Sequence, residues 1–246
     1  MGSIIKKIFT FLILPAGILY LGYLTFESIA EPVRFNDEVD RRKGEAVQML
    51  KDIRTLQEAH RDVYGYYAVS MDSLQIFYNE GKMISDVKIG NHDDSLAVAN
   101  TNKYIKENFS KYARAKGLRR TTDLDKQNML YEAYLADTTL NIVCSVPKEI
   151  LVKEVLFTDR PDFKVENLRY IPYSDGDTVI MKTVLKETQG VKMPLLEARI
   201  PFKSLLKGLD EQLVVNRIAE ETDKDLYPGY KVGDVEKANN NAGNWE

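Results

Sequence analysis

Cysteine is nearly absent: Cys144 stands alone among 246 residues, so no intramolecular disulfide can brace the fold. Its setting, LNIVCSV, reads as a buried thiol in a strand, and with no cysteine near the first residues lipoprotein acylation is not expected as the anchor. Histidine is almost as scarce. His60 and His92 fall in no H-E-x-x-H or similar spacing, and a single thiol leaves too few ligands for zinc. A glycine-rich phosphate loop, a G-x-S-x-G elbow and kinase signatures are all missing. Asp175-Gly176-Asp177 looks like part of a calcium loop but lacks the acidic ligand at EF-hand spacing, so a turn is expected there. The expectation is no catalytic residue, no metal, no cofactor and no enzyme.

A bias of charge is lacking too. Lys and Arg number 34 against 37 Asp and Glu, a net charge of −3, with 44% hydrophobic and 29% charged residues. That is an ordinary folded composition, neither a disordered tail nor a globally basic nucleic-acid binder.

What is present begins with one long uncharged run. Ile8 to Phe26 is nineteen residues, IFTFLILPAGILYLGYLTF, preceded by Lys6 and Lys7 and followed by Glu27. At about 1.5 Å per residue it matches the hydrocarbon core of a bilayer as one helix. Ser28-Ile29-Ala30 offers a signal-peptidase pattern, yet the run exceeds the usual apolar core of a signal peptide. A retained single-pass anchor bounded by Ile8 and Phe26 is therefore expected. Residues 1–7, with Lys6 and Lys7, are expected to stay cytoplasmic, which places the rest in the periplasm, tethered to the inner membrane. The lipid bilayer is the first expected partner.

Beyond Pro32, which suits the first turn of a new helix, Asn36 to Val63 reads as one long amphipathic helix. Val39, Ala46, Leu50, Ile53, Leu56, Ala59 and Val63 recur at helical spacing. This stripe can serve as an internal spine or meet a partner helix. A division is expected: the half with Val39, Ala46 and Leu50 faces a partner, and the half from Ile53 to Val63 packs on the chain's own sheet. Gly65 ends the helix, and Ser70 caps a short one carrying Leu74 and Phe77 that stops at Gly81.

The stretch RRKGEAVQMLKDIRTLQEAHRDVYGYYAVSMDSLQIFYNEG resembles the type IV pilin and type II secretion pseudopilin pattern, in which a transmembrane helix runs into an amphipathic one, a Gly-Tyr turn and a Ser-x-x-x-Leu helix. The resemblance covers roughly the first third. Phe9 and Thr10 match the prepilin peptidase site, but Ile8 stands where that family has Gly and Ile13 where it has Glu. What it implies is an anchored pilin-like subunit of an envelope complex rather than a polymerising pilin, with other subunits of the complex, or further copies of the chain, as partners.

Residues 82–139 read as a helical insertion. Residues 82–100 are irregular, followed by helices from Asn102 to Leu118 and from Leu124 to Ala136. The first is basic: Lys103, Lys106, Lys111, Arg114, Lys116, Arg119 and Arg120 against Glu107 alone. Such a run is either a solvated face or a grip for a polyanion such as DNA, glycan or anionic lipid. The period then changes. Residues 140–221 show strand patterns at Leu140–Val146, Leu151–Phe157, Asn167–Tyr173, Thr178–Lys186 and Val191–Pro201, with a hairpin signal at Asp175-Gly176, a turn at Gln189-Gly190 and a last helix from Phe202 to about Glu221. Residues 222–246, with Trp245, read as a loop. The expected class is α+β: an amino-terminal transmembrane helix continuing into a long amphipathic helix on a mostly antiparallel sheet, with additional helices. The expected role is a structural subunit of a secretion or surface-assembly machine, the alternatives being an assembly-platform subunit or a membrane-anchored polyanion binder.

Overall fold

A computed structural model of the chain describes residues 14–188 and 190–246. They form an α+β fold with a long amino-terminal helix and antiparallel sheets. The chain divides into two compact units: Ile76–Phe163 is one, and the chain up to Gln75 together with Lys164–Glu246 is the other.

Helix α1, Leu14–Tyr64, is continuous over 51 residues. Pro32 lies inside it rather than opening a new helix. Its ring removes one backbone bond, and Ser28, whose carbonyl is thereby freed, lies on an exposed stretch where solvent can satisfy it. Gly65 ends α1 as expected, at φ +84°, its N–H donating to the Arg61 carbonyl at 2.7 Å. Only glycine adopts that left-handed geometry without strain.

In the larger unit, α1 packs against a three-stranded antiparallel sheet, with β3 (Ile180–Thr188), β4 (Val191–Pro201) and β5 (Gly229–Gly233) in the order β3-β4-β5. Alternation along β4 turns Leu196, Ala198 and Ile200 to one face, and all three are fully buried, as are Leu50, Ile53 and Leu56 of α1. Each of the leucines and isoleucines among them stabilises the fold by roughly 1.5–3 kcal/mol. The helix stripe therefore begins at Phe35 and runs through Val39, Arg42, Ala46 and Leu50 to His60, all buried in this same unit. The expected division of the helix is thus corrected. Val39, Ala46 and Leu50 are 6%, 0% and 0% exposed within their own unit, so they present no free partner face.

The predicted helix after β4 is two pieces, α5 (Phe202–Leu205) and α6 (Glu211–Asp223), parted at Gly208 with φ +81°. Strand β5 arises where a loop was expected, and its outer side takes an isolated bridge from Val232 to Gly243. A Cβ at Gly243 would fall 2.4 Å from the Trp245 ring, so glycine is required for the indole to lie there. The expected strand Asn167–Tyr173 is instead a 3₁₀ turn, Val165–Arg169, followed by a single bridge between Tyr170 and Thr178. Asp175-Gly176 accordingly sits in a wider turn, closed by the Ile171 N–H on the Asp177 carbonyl at 2.8 Å, rather than in a two-residue hairpin.

Helix α2, Met71–Glu80, leads into the smaller unit, which pairs β1 (Lys82–Ile89) with β2 (Cys144–Leu151) antiparallel and connects them through α3 (Ser95–Ala115) and α4 (Asp123–Ala136). The insertion is thus not purely helical, and β2 belongs to it rather than to the larger sheet. Met129, Leu130, Ile142, Cys144 and Val146 form its core. The outer edge of β2 is occupied by side chains: Thr101 Oγ1 accepts from the Val143 N–H at 2.8 Å and Gln127 Oε1 from that of Ser145 at 2.9 Å. The expected strand Leu151–Phe157 is a 3₁₀ turn, Val152–Glu154, and loop.

Candidate functional site

Two surfaces, one in each unit, carry the residues singled out in the sequence. The first is the amino-terminal part of α1. From Pro15 to Arg34 no residue is buried, and Leu19, Leu21, Tyr23, Phe26 and Ile29 are each at least 60% exposed. This stretch, about 30 Å long at the helical rise, has large apolar side chains around its whole circumference, and at its end Glu27, Glu31 and Arg34 share a cleft with Gly208, Leu209, Asp210 and Leu213. Contiguous exposed apolar surface of this extent marks a site that something else covers. The expected anchor begins at Ile8, and Ile8–Ile13 lie outside the described residues. Among the described residues no helix is long and apolar enough to cross a membrane; eighteen residues counted from Leu14 already take in Glu27 and Glu31.

Phe26 is followed by a charged collar. Arg34 reaches back to Glu27 at 2.5 Å, and Glu38 accepts from Arg41 at 2.5 Å and from Arg42 at 2.8 Å. Those two guanidinium donors hold the Glu38 carboxyl down to about 2. Arg41 also donates to the Tyr173 hydroxyl at 3.0 Å, and that hydroxyl donates to Glu45. Tyr173 itself has a left-handed backbone, φ +64°, uncommon for an aromatic residue, and its ring lies 4.5 Å beneath the Arg42 guanidinium. The boundary between the uncovered and the packed parts of α1 is therefore held by an ionic and aromatic cluster, where the sequence offered only alternating charges.

The second surface is the outward side of α3 in the smaller unit. All seven cations from Lys103 to Arg120 are exposed. Lys116 is engaged, reaching Glu132 of α4 at 3.2 Å, and Arg114 donates only to the Ser110 carbonyl of its own helix. Lys103, Lys106, Lys111, Arg119 and Arg120 form no ion pair among the described residues. The aromatics in this run are not exposed platforms: Tyr104, Phe109 and Tyr112 pack on the Met129–Leu130 core. The Tyr112 hydroxyl donates to Glu132, and burial together with that carboxylate raises its pKa.

Sequence reasoning missed a third feature. Tyr66, Val69, Val184, Leu185 and Pro194 line a shallow apolar groove of about 250 Å³ beside the β3–β4 hairpin. Val69 and Leu185 were legible as apolar, but nothing in the sequence brings them together. Among the described residues no group of His, Cys, Asp or Glu is placed to hold a metal ion. His60 is buried with Nδ1 2.7 Å from the Tyr66 carbonyl, beside the rings of Tyr64 and Tyr66, and Cys144 lies in a core where burial pushes its thiol pKa up. No family model matches the chain, and no curated protein or solved structure is significantly similar to it.

Proposed function

We propose that the chain is a membrane-tethered, pilin- or pseudopilin-like structural subunit of a cell-envelope secretion or surface-assembly complex, with its two folded units held on the outer side of the inner membrane. One observation carries this reading. A single unbroken helix is uncovered and apolar in its amino-terminal part and forms the core of a folded unit in the rest, so covering the first part requires lipid or another subunit. The charged collar at Glu27, Glu31 and Arg34 lies where an interface with water would fall. The resemblance of the first third to pilins supports the same arrangement, and catalysis has no place in it.

The test is fractionation of cells expressing the full-length chain, followed by cross-linking. The chain stays in carbonate-washed membranes, Lys224 and neighbouring sites in the folded units are open to protease from the periplasmic side only, and cysteines placed at Leu19 and Leu21 cross-link to lipid or to other subunits. Release by carbonate, or protection of the folded units in intact spheroplasts, would defeat the reading.

A further inference from the structure

We propose that the outward face of α3 grips the phosphate backbone of a nucleic-acid duplex without reading its sequence. This goes beyond the structural role above and does not depend on it.

The argument starts from what covers the helix. Its apolar side, with Ala97, Thr101, Tyr104, Ile105 and Tyr112, already packs on α4 and β2 of its own unit. Helical periodicity sets Lys103, Lys106 and Arg114 on the opposite side, with Lys111 on the flank, over about 17 Å of axis. Arg119 and Arg120 follow just past the helix end, both exposed. The macrodipole accounts for cations at the helix end, Arg114 and Lys116, but not for Lys103 and Lys106, about three and two turns earlier. Glu107 is the one acid in the run, and six of the seven cations form no ion pair among the described residues. Mutual repulsion of unpaired cations disfavours the fold, and an external polyanion relieves it.

The chemistry of the face selects among polyanions. A lipid-binding helix places apolar side chains toward the acyl chains, and here those side chains are buried within the unit. A protein interface depends on a few buried aromatic or apolar anchors, and this row offers none. Single-stranded nucleic acid is held by stacking on exposed aromatics, whereas Tyr104, Phe109 and Tyr112 are engaged in the core. A purely electrostatic row of cations without anchors fits an anion whose charges repeat along a line and that needs no other contact, which is a duplex backbone.

The experiment uses the full-length chain in neutral maltoside micelles and a fluorescein-labelled duplex of about 30 base pairs, with binding read by anisotropy across salt. With about five phosphates neutralised, affinity falls some 10²- to 10³-fold between roughly 50 and 200 mM salt, and duplexes of unrelated sequence bind alike. The K111E/R114E/R119E variant binds at least about a hundredfold more weakly, with a salt slope smaller by nearly three. Its melting temperature is unchanged because all three side chains are exposed; should it unfold, K111Q/R114Q/R119Q carries the test with a smaller loss in the same direction. The proposal is overturned by absence of duplex binding at low salt, by unchanged affinity in a folded variant, by tighter binding of polyglutamate than of the duplex, which would mark an acidic protein partner, or by displacement of the duplex when phosphatidylglycerol is added to the micelles, which would mark the membrane surface.

Discussion

The Arg42 guanidinium donates to the carbonyl of Leu205 at 2.9 Å, across 163 residues of chain, and to that of Lys207 at the same distance. Arg42 is 8% exposed, so the charge is taken out of water and stabilised by these two carbonyls, by Glu38 and by the face of Tyr173. The residue closes the end of α5 onto α1 at the point where the helix begins to be covered. Arg42→Ala leaves both carbonyls without their donor, one of them buried, and should lower unfolding stability by about 3 kcal/mol. Arg42→Lys, a point charge without the planar fork, should recover less than half of that. Equilibrium urea denaturation measures both, and a loss within about 0.5 kcal/mol for the alanine variant would contradict the closure.

Glu38 gives this cluster a pH signature. Its carboxyl is held down to about 2 by the Arg41 and Arg42 donors, against 4.5 ordinarily. Between those two values the unfolded chain binds the proton and the folded chain does not, so stability rises with pH. The Glu38 contribution is complete above about 4.5 and is lost as pH falls toward about 2. Asp123, Asp137, Glu220 and Glu246 are lowered as well, so a difference measurement is needed. The urea midpoint of the parent should fall more steeply on acidification than that of Glu38→Gln, and parallel profiles would show that the depressed carboxyl is not coupled to folding.

The long helix could be read from the sequence because Val39, Ala46, Leu50 and Ile53 repeat at its period, and the β3–β4 hairpin because Gly190 divides two runs rich in β-branched and apolar residues. What covers the stripe could not be read, since periodicity gives a face and no neighbour. Strand β1 escaped notice because its alternation places Ile84, 72% exposed, on the same side as Lys82, Asp86 and Lys88, which blurs the apolar signal. Strand β5 is five residues bounded by glycines just after Tyr227-Pro228, and that chemistry reads as a turn. The basic run was plain in the sequence, but that among the described residues only Lys116 finds a carboxylate emerges from the fold, which brings Glu132 beside it. Arg42, Gln57 and Asn241 are buried polar residues whose partners, such as Glu58 for Asn241, lie far along the chain, and no local pattern announces them.

Because Val39 and Ile53 are both buried in one unit, at 6% and 0% exposure, a charge at either should act on folding. Val39→Asp and Ile53→Asp should each place an unpaired carboxylate in an apolar site and lower stability by several kcal/mol. Leu21→Asp, on the uncovered part of α1, should leave thermal unfolding unchanged and instead weaken retention in carbonate-washed membranes. Opposite phenotypes at Val39 and Ile53, one losing partners and the other losing fold, would show that Val39 is available to another subunit after all.

Gln57 supplies the sharpest test of how α1 holds the turn that follows it. The side chain is fully buried, its Nε2 donating to the Ala68 carbonyl at 3.0 Å while its Oε1 accepts from the Ala68 N–H at 2.8 Å, and the sulfur of Met181 lies 3.0 Å from the same nitrogen. An amide meets both requirements at once, and a carboxylate meets one. In Gln57→Glu the ionised side chain would set a negative oxygen against the Ala68 carbonyl in a site without solvent, so its pKa should rise well above the ordinary carboxyl range. The folded variant then binds a proton that the unfolded chain has released, and its stability falls as pH rises from the ordinary carboxyl pKa to the raised folded one. At neutral pH the variant should be destabilised by several kcal/mol. Acidification toward about pH 4 should narrow the gap from the parent, because the protonated acid can again donate to Ala68. Gln57→Leu, which restores no donor at any pH, should show a constant loss. Melting temperatures of the three proteins followed across pH decide the matter: a deficit in Gln57→Glu that stays constant or widens on acidification would mean that the side chain does not clasp Ala68 through a donor and an acceptor together.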